Sequence, residues 1–83
     1  MTSVKILLNS IEHVKEFVNI VSHFDAEMEL IYGRYVIDAK SIMGIFSLNL
    51  SEPVELHIHA DGRDVEEILG QMKKYFVRGS IGN

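Results

Sequence analysis

The sequence contains no cysteine and no tryptophan, and its one proline is Pro53. Without cysteine there is no disulfide, no thiolate metal ligand and no cysteine nucleophile, and nothing marks the redox compartment. Cations are scarce: 8 Lys and Arg stand against 12 Asp and Glu, a formal net charge of −4. A nucleic-acid binder normally shows a basic stripe, so nucleic acid is not an expected partner. The cluster of Lys73, Lys74 and Arg78 falls at the end of a predicted helix, where cations offset the helix dipole. No apolar run reaches the roughly 18 to 20 residues needed to span a bilayer. The start, Met1-Thr2-Ser3-Val4-Lys5, lacks a signal-peptide profile, so the expectation is a cytoplasmic protein with no membrane partner. There is no glycine-rich phosphate loop, no nucleophile elbow and no Ser/His/Asp order worth defending. A non-enzyme without cofactor is expected.

What the chain does have is 47% apolar residues in 83 positions, enough for one domain spanning residues 1–83. Val4, Ile6 and Leu8 read as the buried side of a first strand. Asn9 or Ser10 is a helix cap; with Asn9 in that place, Glu12 would complete a capping box. Ile11, Val14, Val18 and Val21 then form the stripe of an amphipathic helix, flanked by Phe17 and Phe24. Met28, Leu30 and Tyr32 alternate along one strand, and residues Tyr35 to Ala39 return after Gly33-Arg34, a hairpin whose turn needs the glycine. Ser41 caps a short helix reaching Leu48, and Val54 to Ala60 is a fourth strand. Asp61-Gly62-Arg63 is a turn, after which Asp64 caps a last helix. Its stripe is Val65, Ile68, Leu69, Met72 and Phe76, with Gly79 as the stop. The order βαββαβα predicts an α+β open-faced β-sandwich: a four-stranded antiparallel sheet with three helices on one face. Lys5, Glu55, His57 and His59 would line the face left to water.

The short helix is apolar nearly all the way round, so it cannot hide every side chain. Ile45 and Leu48, three apart, suit the buried side, leaving Ile42, Met43 and Phe46 as a partner-docking surface beside the Ser41 hydroxyl. His57 and His59 share a strand face, but two ligands fall short of the three or four that zinc takes, and no metal site is expected. His23, near the end of the first helix, complements its dipole.

The most specific signal is Lys40-Ser41-Ile42-Met43-Gly44 followed by Ser47-Leu48. With the segments Phe24 to Leu30 and Val54 to Gly62, and the order of elements, it resembles the HPr family, the phosphocarriers of the bacterial sugar phosphotransferase system. The resemblance runs from about Ile11 to Phe76. It implies the same open-faced β-sandwich and makes Ser41 the counterpart of a regulatory serine, modified by an HPr-type kinase. It also implies a protein partner on the Ser41 helix: that kinase, a regulator or a phosphotransferase component. Working family members carry Gly-Ile-His-Ala-Arg-Pro-Ala between the first strand and first helix; the histidine accepts the phosphoryl group and the arginine holds it. The corresponding segment here is Leu8-Asn9-Ser10-Ile11-Glu12-His13-Val14, with Ser10 at the histidine and Glu12 at the arginine. Glutamate in place of arginine at about 4 Å is worth roughly 1 to 4 kcal/mol of the wrong sign toward a phosphate. The departure resembles the catabolite-repression HPr proteins, which lack the acceptor histidine and keep the serine. The leading expectation is therefore a regulatory, protein-binding domain. Two alternatives stand beside it: a phosphocarrier using His13 as surrogate acceptor, and a homodimeric scaffold joined through the open sheet or the first strand.

Overall fold

The computed structural model describes residues 1–77; Arg78 and Gly79, assigned above to the basic cluster and the helix stop, lie outside the described residues. The elements follow the expected order: β1 (Thr2–Ile6), α1 (Ile11–Val21), β2 (Glu27–Tyr32), β3 (Tyr35–Asp38), α2 (Ile42–Phe46), β4 (Val54–His59) and α3 (Arg63–Met72). A single 3-10 turn over Lys73–Tyr75 closes the series. The strands form one four-stranded sheet in the order β1-β4-β2-β3, every pair antiparallel.

Period-two alternation explains the sheet's two faces. Val4, Ile6, Met28, Leu30, Leu56 and Ile58 are buried against Val14, Phe17 and Val21 of α1, Ile45 of α2, and Val65, Ile68 and Met72 of α3. Lys5, Glu27, Glu29, Glu55, His57 and His59 occupy the alternate positions and stay exposed or half-buried. The result is an open-faced β-sandwich, with helices on one side and water on the other. Gly33 (φ 59°) makes the β2–β3 turn and Gly62 (φ 66°) the turn before α3, both in the region that L side chains avoid.

Several local expectations change. Ser10, not Asn9, caps α1: its Oγ accepts the His13 N–H at 3.1 Å, and the capping box through Glu12 does not form. Ile11 is 58% exposed, because the first helical position faces outward and the stripe begins at Val14. Gly62 rather than Asp64 stands before α3, with no side-chain cap; Asp64 sits in the first turn, where a carboxylate still meets the helix dipole favourably. The last stripe breaks at Met72. The tighter 3-10 turn brings Tyr75 inward, 2% exposed, while Phe76 leaves the helix and bridges Ile6. Counting at helical spacing selects Phe76; the switch of period selects Tyr75.

Candidate functional site

Two helix starts bear the residues singled out by sequence, and each begins with a serine. At α2 the chain leaves β3 through a tight turn in which Ser41 N–H donates to Asp38 O at 3.0 Å. Lys40 N–H donates to the Asp38 carboxylate at 2.9 Å, and Lys40 Nζ reaches the Phe24 carbonyl at 2.6 Å, so this cation is tied to the loop that follows α1. Ser41 then caps the helix: its Oγ accepts the Gly44 N–H at 3.2 Å, and its carbonyl takes the Ile45 N–H. Ser41 is exposed, and because its oxygen accepts that bond, its own O–H stays free to turn toward solvent.

Gly44 makes this closeness possible. A methyl group there would lie 2.8 Å from Ile37 Cγ2 on β3 and 3.1 Å from Ser41 Oγ. The missing side chain lets α2 settle on the sheet with its cap intact. Ile45 is fully buried, as the spacing predicts, and Leu48 is half-buried against the core. Of the three residues assigned to the surface, Met43 is 76% and Phe46 36% exposed. Ile42 differs from expectation: it is half-buried and packs on the core, since the first turn of a five-residue helix leans back on the sheet.

The start of α1 is built differently. Ser10 caps through its Oγ as Ser41 does, but it is half-buried, and Glu12 stands exposed in the first turn. His13 is half-buried, with Nδ1 3.0 Å from Asn9 Oδ1 and its ring edge-on to Tyr75, centroids 5.6 Å apart. Tyr75 also meets Phe17 edge-on and donates its O–H to Glu16 at 2.8 Å. Lys74 lies over the Tyr75 ring and 3.5 Å from Glu16. The bond from Tyr75, with Lys74 second, holds the Glu16 carboxyl below the usual carboxylate range. Burial, and then Glu16, push the Tyr75 phenol well above its ordinary value. No guanidinium bonds to His13 among the described residues; Arg63 opens α3 and Arg78 lies outside them. Sequence reasoning missed Tyr75 and Glu16, and named Asn9 as a candidate cap rather than as the partner of His13. A hydroxyl-bearing aromatic at the end of an apolar stripe was the available signal for Tyr75.

The remaining histidines do not converge. His57 pairs with Glu55 and His59 with Glu29, each at 2.9 Å, and His23 Nδ1 lies 2.6 Å from Asn19 O, at the end of α1. Among the described residues no group of three or more His, Cys, Asp or Glu could hold a metal ion. A hollow of about 230 Å³ lined by Asp25, Glu27, Met28, Glu29, Val36, Asp38 and Lys40 contains neither serine. No helix among the described residues is long and apolar enough to cross a membrane.

Comparison with known proteins places this geometry. The chain superposes on the crystal structure of HPr-C-His from Thermoanaerobacter tengcongensis with a TM-score of 0.72 and 28% identity, covering 89% of each chain. It also superposes on the histidine-containing phosphocarrier protein of Mycoplasma, with a TM-score of 0.68, 14% identity and coverage of 88% of this chain and 89% of that one; this likeness concerns the fold. The family model PTS-HPr, described as the PTS HPr component phosphorylation site, matches residues 12–78. With that match spanning most of the chain, and the sheet order and Ser41 helix in place, the protein belongs to the PTS-HPr family.

Proposed function

We propose that this is a regulatory, protein-binding member of the family, whose working surface is α2 and whose modifiable group is the Ser41 hydroxyl. The observation that carries this reading is the asymmetry between the two serines. Ser41 is exposed, with Met43 and Phe46 exposed on the same short helix. A phosphoryl group passed from ATP to Ser41 Oγ, with loss of the hydroxyl proton, would set a dianion beside an uncharged apolar patch and change which partner docks there. The partner is a protein: a serine kinase, a regulator or a phosphotransferase component. The chain itself catalyses nothing in this reading, and it works in the cytoplasm as a single domain.

Histidine phosphotransfer is disfavoured at α1. Ser10 occupies the place that the resemblance gives to the acceptor histidine, and a hydroxyl has no ring nitrogen with a lone pair available near neutral pH for reversible transfer. The resemblance sets Glu12 where a phosphate-holding arginine would be, and its carboxylate stands exposed in the first turn of α1. One contact favours a second reading, in which His13 accepts phosphate. When Nδ1 carries the ring proton and donates to Asn9, Nε2 keeps its lone pair. Against it, Lys74, the cation next to Tyr75, is paired with Glu16.

The test is a pair of incubations: ATP with an HPr-type serine kinase, and phosphoenolpyruvate with the general phosphotransferase enzyme. The expected result is a single acid-stable phosphoryl group in the first, absent from Ser41→Ala. An acid-labile group in the second, absent from His13→Gln, would overturn the ranking.

A further inference from the structure

The two edges of the sheet are not alike. Along the outer edge of β1 the chain returns: Leu7 N–H donates to Tyr75 O at 2.8 Å, and Val77 N–H donates to Lys5 O at 3.1 Å. β3, at the opposite edge, has no strand beyond it among the described residues. Its free backbone groups follow from the register. Antiparallel pairs alternate between residues that exchange hydrogen bonds and residues that do not. Ala39 N–H donates to Met28 O at 3.0 Å, and Ile37 and Tyr35 lie opposite Leu30 and Tyr32, so these three turn their polar groups toward β2. Val36 therefore turns both N–H and C=O outward, with the Asp38 N–H and the Arg34 C=O beside it. The Asp38 C=O, on the same side, is taken by Ser41 N–H.

The side chains on this edge are self-complementary. Val36 and Asp38 fall on the open face, Val36 is 61% exposed, and Arg34, in the turn that leads into β3, is exposed beside them. We propose that β3 pairs antiparallel with β3 of a second copy of this chain, about a two-fold axis through Val36. In that register the two Val36 residues exchange N–H···O=C bonds, and each Asp38 N–H meets the Arg34 carbonyl opposite. Arg34 of each copy stands across from the partner's Asp38, so both cross-strand pairs are of opposite charge. Tyr35, 65% exposed, stands across from the partner's Ile37 on the helix-bearing face. Other two-fold registers fail. An axis between Val36 and Ile37 sets an outward-turned backbone against an inward-turned one. An axis through Arg34 or Asp38 runs the partner into the Gly33 turn or into α2. The contact is isologous and closes on two copies.

With only four residues in β3, the seam is well under the about 1,000 Å² of a stable interface, so association is weak and concentration-dependent. Sedimentation velocity on the full chain from about 10 μM to about 1 mM should show a monomer–dimer equilibrium. The amide resonances of Val36 and Asp38 should shift along the same series. Arg34→Glu alone and Asp38→Arg alone each place like charges across the seam twice and should weaken pairing by roughly tenfold or more. An equimolar mixture of these two variants makes both pairs opposite again and should recover dimerisation. Val36→Pro removes the outward N–H without touching the β2 ladder and should abolish pairing; Val36→Lys serves the same end if the proline variant does not fold. A chain that stays monomeric throughout, a mixture no better than either variant alone, or concentration-dependent shifts confined to other residues would each overturn the proposal.

Discussion

The starts of α1 and α2 use one device for different ends. Each opens with a serine whose Oγ accepts a backbone N–H three residues on, at 3.1 Å for Ser10 and 3.2 Å for Ser41. Cap chemistry alone would make them equivalent, each worth about 1 kcal/mol. What differs is what stands around the cap. α1 begins under an aromatic lid, with His13 against Tyr75 and Tyr75 bonded to Glu16. α2 begins in the open, seated by the absence of a side chain at Gly44 and followed by exposed Met43. The first start is fastened to the core, whereas the second is offered to solvent. A hydroxyl that serves as a cap can also serve as a modification site only where the surroundings leave it reachable.

The fastening at α1 is broken most directly by Tyr75→Ala. Tyr75 is 2% exposed and touches His13, Phe17 and Glu16 together. Emptying that space should cost about 3 to 5 kcal/mol, the usual range for a buried aromatic cut to alanine. Urea denaturation would report it as a lowered midpoint. For a small domain this is a large share of the total stability. A loss under about 1 kcal/mol would mean that Tyr75 is not a core residue and that the two starts are less different than they look.

At α2 the sharper probe is Gly44→Ala. The added methyl would meet Ile37 Cγ2 at 2.8 Å, so either the helix lifts or β3 shifts. The cost should be about 1 to 3 kcal/mol, despite alanine's better helix propensity. Ser41→Ala, which removes only the cap, should cost about 1 kcal/mol. If Gly44→Ala instead stabilises the protein, the close approach is not what makes this residue glycine. The two changes should also separate by nuclear magnetic resonance: Gly44→Ala moves Ile37 on the neighbouring strand, and Ser41→Ala leaves it in place.

These contrasts show what was legible in the sequence. Alternation in Val4-Lys5-Ile6 and Leu56-His57-Ile58 carries the two faces of the sheet, because the period of a strand is local and burial follows it. The Ser41 cap and the burial of Ile45 were readable for the same reason. The α1 start was harder. Asn9 and Ser10 are both good caps, and only the backbone's entry into the helix chooses between them. Asp64 looks like a cap by residue type, yet the positive φ at Gly62 starts α3 earlier than the acid does. Tyr75 was hidden because a helical count continues to Phe76, while the chain tightens into a 3-10 turn after Met72. Its contacts with His13 and Glu16 cross some sixty positions, and no local pattern records them. Exposure on α2 was only partly legible: Met43 and Phe46 are exposed, but Ile42 packs inward because a five-residue helix has no fully solvent-facing side at its start.

The smallest effect is also the one that distinguishes the two starts by chemistry rather than size. The Glu16 carboxyl is held below the usual carboxylate range, first by the Tyr75 hydroxyl and then by Lys74. The folded protein therefore favours its charged form. That contribution is complete above the pKa of the unfolded chain and fades as pH falls through the lower folded value. The Tyr75 phenol is raised, first by burial, so its contribution is complete below the unfolded tyrosine value and fades as pH climbs above it. Glu16 is exposed, so water screens the acid-side term to a small one. Thermal melts of wild type and Glu16→Gln should differ near neutral pH and converge as pH drops below the carboxylate range. Ser41→Ala should show no such convergence, because the bonds at its cap join backbone N–H to a hydroxyl and contain no group that titrates there. If Glu16→Gln instead ran parallel to wild type through the acid range, the Tyr75–Glu16 bond would not be part of what fastens α1, and the lid over His13 would rest on ring packing alone.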